Sequence, residues 1–281
     1  TDHAPGRIAS VMRPTVRFTP PDLTRRCFLA AVPLGLGAAA LGQPASATES
    51  TLWPTFPHQR PDLVRETVGA SHFDEKRVRE LVTAHPALAN ATWDWGFGDW
   101  ETALGAASHT GRRAIAEFLI SKGARIDIFA AAMLGHLDTV KALIAASPGI
   151  QRTLGPHCIP LLAHAKAGGD AAKPVFEYLQ QLGDAGDTPD SVKLPEDQHA
   201  IYTGEYQFGA SDSDRLTIVQ EKGSLWIARG KEAKRGLTFV GNHAFFPAGA
   251  PAVRIAFEVS GLAATSLTVI DGESLVIAQR R

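Results

Sequence analysis

The hydrophobic pattern of this chain changes its period once, and that change limits what the chain can fold into. From 62 to 184 the sequence is rich in Ala and Leu, with apolar residues at helical spacing. From 200 to 281 short alternating runs are separated by Gly turns. A helical half and an antiparallel β half are therefore predicted. Between them Gly183 to Glu196 is polar, with two prolines and three Asp, which is linker composition. Apolar residues make up 44% of the 281, enough for real cores, so disordered, collagen-like and disulfide-scaffold classes are excluded. With 28 basic against 29 acidic residues there is no basic field for a nucleic-acid partner.

The first segment reads as an address. Thr24-Arg25-Arg26-Cys27-Phe28-Leu29 precedes an uncharged run from Phe28 to Leu41, and Ala45-Ser46-Ala47 supplies small residues for cleavage. The run is roughly 20 Å long as a helix against a bilayer core of about 30 Å, so no stable membrane anchor is expected. The Arg pair resembles the twin-arginine signal, which implies export of a folded protein to a bacterial periplasm. Met12 is the expected start. Removing 1–47 takes away five arginines and two acidic residues and leaves a mildly acidic body. It also removes Cys27, so no intramolecular disulfide is expected, and the remaining thiol, Cys158, is either buried, the commoner outcome, or a free nucleophile.

Self-similarity in the helical half points to stacked units. Val78-Arg79-Glu80-Leu81-Val82 before His85-Pro86 returns as Val140-Lys141-Ala142-Leu143-Ile144 before Ser147-Pro148, 62 residues on. Ile115-Ala116-Glu117-Phe118-Leu119 returns as Val175-Phe176-Glu177-Tyr178-Leu179, 60 residues on. Thr102-Ala103-Leu104-Gly105-Ala106-Ala107-Ser108, then Gly111, then Ile115 to Leu119 and Gly123-Ala124-Arg125-Ile126-Asp127 resembles the ankyrin repeat. The resemblance covers about 120 residues. It departs at Ala103, where Pro is usual, and at Gly105, where His is usual. It implies an α-solenoid of about four ankyrin-type helix pairs.

The β half reads as a small antiparallel β-barrel or sandwich. Leu216–Gln220 and Leu225–Arg229 flank Glu221-Lys222-Gly223-Ser224, and Asp271-Gly272 separates Leu267–Ile270 from Ser274–Ala278, both hairpin signals. Tyr202-Thr203-Gly204-Glu205-Tyr206, Gly223-Ser224-Leu225-Trp226, Phe245-Phe246 and Val253 to Phe257 resemble the lipocalin-like β-domain appended to β-lactamase-related hydrolases. No Ser-x-x-Lys accompanies it. The expected organisation is multidomain α + β: signal 1–47, linker 48–60, ankyrin-type domain 61–184, linker 185–199 and β-domain 200–281.

No G-x-S-x-G, H-E-x-x-H, C-x-x-C or phosphate loop is present, so no motif marks an enzyme. The least ordinary stretch is Trp93-Asp94-Trp95-Gly96-Phe97-Gly98-Asp99-Trp100-Glu101, which holds three of the five tryptophans. Its rings are candidate binding anchors, and Asp94, Asp99 and Glu101 candidate acceptors; packing on the N-terminal unit, or on Trp53 and Phe56, is the alternative use. On the repeat register His72, His109 and Met133 fall toward one exposed flank, with His157 and Cys158 on a finger loop. His164 occupies a packing position. His109, His157, His164, Asp99 and Glu101 are the candidates for acid/base chemistry. Three or four donor atoms within about 2.3 Å of one ion would make a zinc site, which spacing does not establish, so no metal and no cofactor is assigned.

The expected function is an exported binding or scaffold protein that recognises a protein or peptide through a concave face and the Trp-rich finger. The alternative is a small-molecule binder or an enzyme, hydrolase- or lyase-like, with a His/Asp/Trp pocket on that face. A third option places a ligand inside the β-domain, lined by Trp226, Phe245 and Phe257. The oligomeric state is not fixed by the sequence.

Overall fold

The structure, a computed structural model, describes residues 54–281. The expected signal, Cys27 and Trp53 lie outside them. The helical half runs α1 (Pro61–Ala70), α2 (Glu75–Ala84), a hairpin of β1 (Thr92–Asp94) and β2 (Trp100–Thr102), then α3 (Ala103–His109), α4 (Arg113–Ser121), α5 (Ile128–Met133), α6 (Leu137–Ala146), α7 (Leu161–Ala167) and α8 (Lys173–Leu182). The short α9 (His199–Tyr202) leads into β3 (Gly204–Gln207), β4 (Arg215–Glu221), β5 (Ser224–Arg229), β6 (Arg235–Gly241), β7 (Ala244–Pro247), β8 (Arg254–Ser260), β9 (Ala263–Asp271) and β10 (Ser274–Arg280). Among the described residues no helix is long and apolar enough to cross a membrane.

Local chemistry explains where the helices start. Asp74, Thr102 and Asp127 each accept a hydrogen bond from the backbone N–H three residues on, at 3.0, 2.8 and 2.8 Å, and so cap α2, α3 and α5. The outer helices bury one face: Val78, Leu81 and Val82 in α2, Ile115, Ala116 and Leu119 in α4, Val175 and Leu179 in α8. In α3, Ala103 to Ser108 are all buried, and in α5 every residue except Phe129 is. A short helix buried on nearly every side needs small residues, and Ala and Gly supply them.

The ankyrin resemblance is overturned by how these helices pack. In a solenoid each unit meets only its neighbours in line. Here α3 packs against both α5 and α7, so the helices close on one another. A side-chain hydrogen bond, Ser108 Oγ to His164 Nδ1 at 2.8 Å, joins α3 directly to α7. Only one finger, β1–β2, forms a hairpin among the described residues, and α5 has six residues. Among the described residues the helical half is nine short α-helices counting α9, not an ankyrin repeat solenoid.

Close approach at the helix ends depends on missing side chains. A Cβ on Gly168, whose φ of −71° suits any residue, would overlap the carbonyl oxygen of Met133 at the end of α5. Because backbone cannot yield as a side chain does, Gly168→Ala is expected to cost about 3 kcal/mol or more. Denaturant unfolding measures this directly. Wild-type stability in that variant would show that α5 and α7 are not packed this tightly.

The β half is a closed antiparallel barrel of eight strands in the order β10-β3-β4-β5-β6-β7-β8-β9. Of the two architectures expected, barrel or sandwich, it is the barrel. Both hairpin signals form: Glu221 pairs with Ser224 across Lys222-Gly223, both at positive φ, and Asp271 pairs with Ser274. Tyr202, Tyr206, Phe245 and Phe257 fill the interior in edge-to-face contacts, with centroids 4.9–5.7 Å apart. Trp226 does not line it. Alternation along β5 buries Leu225 and Ile227 and turns Trp226 to the other face, where its Nε1 donates to the Glu221 carbonyl at 3.1 Å.

Candidate metal centre

Four side chains from separate elements of the helical half meet at one point. His72 follows α1, Glu101 is the centre of β2, His109 ends α3, and His157 lies in the turn Pro156–Cys158. One donor atom from each lies within 4.8 Å of all the others. His109 Nε2 is 2.9 Å from Glu101 Oε1, His157 Nε2 is 3.4 Å from the same oxygen, and His72 Nε2 is 3.4 Å from Oε2. Tetrahedral donors at 2.0–2.1 Å from a zinc ion stand roughly 3.3 Å apart. The separations from Glu101 are thus already near those of a coordination shell.

The rings are oriented from behind. His72 Nδ1 lies 3.0 Å from the Gly69 carbonyl and 3.2 Å from that of Val68; since a carbonyl only accepts, the Nδ1 proton sits there and Nε2 faces Glu101. His157 Nδ1 donates to Asp99 Oδ2 at 2.6 Å, and its backbone N–H donates to Asp99 Oδ1 at 2.9 Å. A carboxylate or carbonyl on the far nitrogen is the usual support of a metal-binding imidazole, fixing tautomer and direction. The three rings stand 5.0–6.3 Å apart.

Glu101 is fully buried, yet remains ionised. Burial opposes the charge, but hydrogen bonds from His109, His157 and His72 outweigh it and hold the carboxyl far below its usual range. Trp95 Nε1 donates a further hydrogen bond to Oε2 at 2.6 Å. Burial also works against a charge on His157, but Asp99 and Glu101 push that imidazole up to about 9. His72 is raised by Glu101 against the same opposition. Glu101 is therefore a buried carboxylate balanced by the proton of His157, a role that a divalent cation would take over on binding.

The barrel completes the support. Arg235, at the start of β6, pairs with Asp99 through Nη2, which also donates to the Ala248 carbonyl at 2.9 Å. Its Nη1 donates to the Trp95 carbonyl at 2.7 Å. Gly249 comes so close that a Cβ there would overlap the Asp99 carboxylate. Burial would raise Asp99, but His157 and Arg235 keep it below the ordinary carboxylate range.

The remaining sequence candidates lie elsewhere. His164 is buried against Phe129 and Ser108, and burial together with His109 lowers it to about 3, so it stays neutral. Met133 is fully buried in the helical core rather than on a flank. Trp93 and Trp95 pack on that same core, while Trp100 is 62% exposed. Asp94 accepts from the Gly96 N–H at 2.7 Å and shapes the hairpin tip; Phe97 leaves the helical half and packs on the barrel core. Cys158 is a free, half-buried thiol that burial and Asp99 hold in the protonated form. Sequence reasoning missed Arg235, and no signal would have found it: it is one of three cations in Lys231-Glu232-Ala233-Lys234-Arg235, 136 residues from Asp99.

Fold and site together define an α + β protein whose helical half carries a three-histidine, one-glutamate donor set backed by a closed barrel. No protein-family model matches the chain, and no curated protein matches it. The lipocalin-like resemblance of the β half, like the ankyrin one, is left without family support.

Proposed function

We propose that this protein binds one divalent transition-metal ion of the zinc class through His72, Glu101, His109 and His157. The observation that carries the reading is the convergence of three imidazole nitrogens on one buried, ionised carboxylate. Imidazole and carboxylate donors suit zinc and its first-row neighbours. Of the expected functions, the small-molecule or enzyme reading gains from this, because a zinc ion held here would activate a water for hydrolytic or lyase-type chemistry if one of the four protein donors gave up its position to that water. The protein-recognition reading has weaker support: the flank it needs is met by Arg235 and Gly249 of the barrel.

The decisive experiment is calorimetric titration of chelator-treated protein with zinc, cobalt and magnesium. One equivalent of zinc or cobalt is expected to bind, and magnesium to give no saturable heat. Failure to take up zinc stoichiometrically by a folded sample would remove the proposal.

The place of action we propose is outside the cytoplasm, on the strength of the Arg25-Arg26 pair and the uncharged run that follows. A reporter fused after residue 60 is expected to leave the cytoplasm, and Arg25→Lys with Arg26→Lys to retain it. Cytoplasmic retention of the unaltered fusion would reject export.

A further inference from the structure

The open end of the barrel holds a cavity that the metal reading does not use. It measures about 270 Å³ and is walled by Leu216, Ile227, Val269 and Val276. Trp95, Gly96 and Phe97, from the hairpin tip of the helical half, complete its lining. Well-packed interiors have few voids larger than a water molecule. Here the space approaches twice the roughly 150 Å³ of an apolar cavity that takes up benzene.

Two features give the cavity a polar end. Arg229 and Arg235 both line it, against a single carboxylate, Glu232. Arg235 uses both terminal nitrogens on Trp95, Asp99 and Ala248, but its Nε–H is buried with no hydrogen-bond partner. A buried donor without an acceptor is costly, and native proteins rarely leave one so. Arg229 donates from Nε to the Ser213 carbonyl at 2.9 Å, its terminal nitrogens come no closer to a carboxylate than 4.0 Å, at Asp214, and its guanidinium lies 5.4 Å from the centre of the Phe208 ring. The cavity therefore combines an apolar body with two arginines in its lining.

We propose that the barrel mouth binds a small, mainly apolar molecule bearing a terminal carboxylate, such as a medium-chain fatty acid. Its chain lies against Leu216, Ile227, Val269 and Val276, and its carboxylate accepts hydrogen bonds from the Arg229 and Arg235 side. This stands apart from the metal proposal, since no metal ligand lines the cavity.

The test is titration of the full chain, in chelator, with sodium octanoate, followed by calorimetry and by tryptophan fluorescence, with octylamine and octanol as comparisons. Octanoate is expected to bind in one-to-one ratio and about tenfold or more tighter than octylamine, given the worth of a hydrogen bond to a charged group. Arg229→Gln is expected to weaken octanoate by about tenfold and leave octanol unchanged. Val276→Trp, which fills the space, is expected to abolish binding of both while circular dichroism shows the barrel intact; Val269→Phe serves if that variant does not fold. Absence of saturable octanoate binding, equal affinity for octylamine, or full affinity in a folded cavity-filled variant would each overturn the proposal.

Discussion

Substituting His109 by Ala is expected to cut zinc affinity by more than the 10–100-fold that loss of an outer-shell partner costs. Of the three histidines His109 makes the shortest approach to Glu101, at 2.9 Å, and its ring lies 5.0 and 5.4 Å from those of His72 and His157. Its loss leaves too few nitrogens for a closed shell. Bound metal should also act on stability. At a free concentration a hundred times Kd, an ion that binds only the folded state adds about 2.7 kcal/mol. For a folded body of this size that corresponds to a rise in Tm of roughly 5–10 °C. The rise is expected in the wild type and absent in His109→Ala. His164→Ala is the control, because that ring is turned to Ser108 and is not among the four donors. If His164→Ala abolished the zinc response as fully as His109→Ala, the donor set would be misassigned.

Replacing Arg235 by Met is the second large effect, since it breaks the link between the halves. The guanidinium and Asp99 are both largely buried, with side chains 13% and 2% exposed. Removing one partner of a buried pair strands the other, at a cost of about 3–5 kcal/mol. The Trp95 and Ala248 carbonyls lose donors as well. His157 still neutralises part of the Asp99 charge, so the lower end of that range is expected. In chelator, thermal unfolding should show a fall in Tm of roughly 10 °C. Zinc affinity should fall too, by about 10–100-fold, because Asp99 orients the His157 ring. Unchanged zinc affinity in the folded variant would mean that the barrel supports the helical half without tuning the site.

The hairpins were legible because they are written within a few residues. Lys222-Gly223 turns between strands already alternating, and Asp271-Gly272 opens a second such turn. The ankyrin reading failed for the opposite reason. A repeat in sequence sets which faces are apolar, but many packings bury the same faces, and the approach of α7 to α3 and to α5 is chosen by shape, at Gly111 against Ala167 and at Gly168 against Met133.

The candidate list held all four donor residues, yet nothing in spacing joined them. His72, His109 and His157 lie 37 and 48 residues apart, and spacing alone leaves His164, a buried neutral ring, among the acid/base candidates with His109.

By itself the sequence determined a helical half followed by an antiparallel β half, and which residue types were on hand for chemistry. The tertiary structure alone decided that the barrel closes, that its Arg235 reaches Asp99, and that three imidazoles turn Nε2 toward one carboxylate. Hydrophobic period is a local property of the chain. The direction of a ring is set by whichever distant backbone and side chains happen to stand behind it.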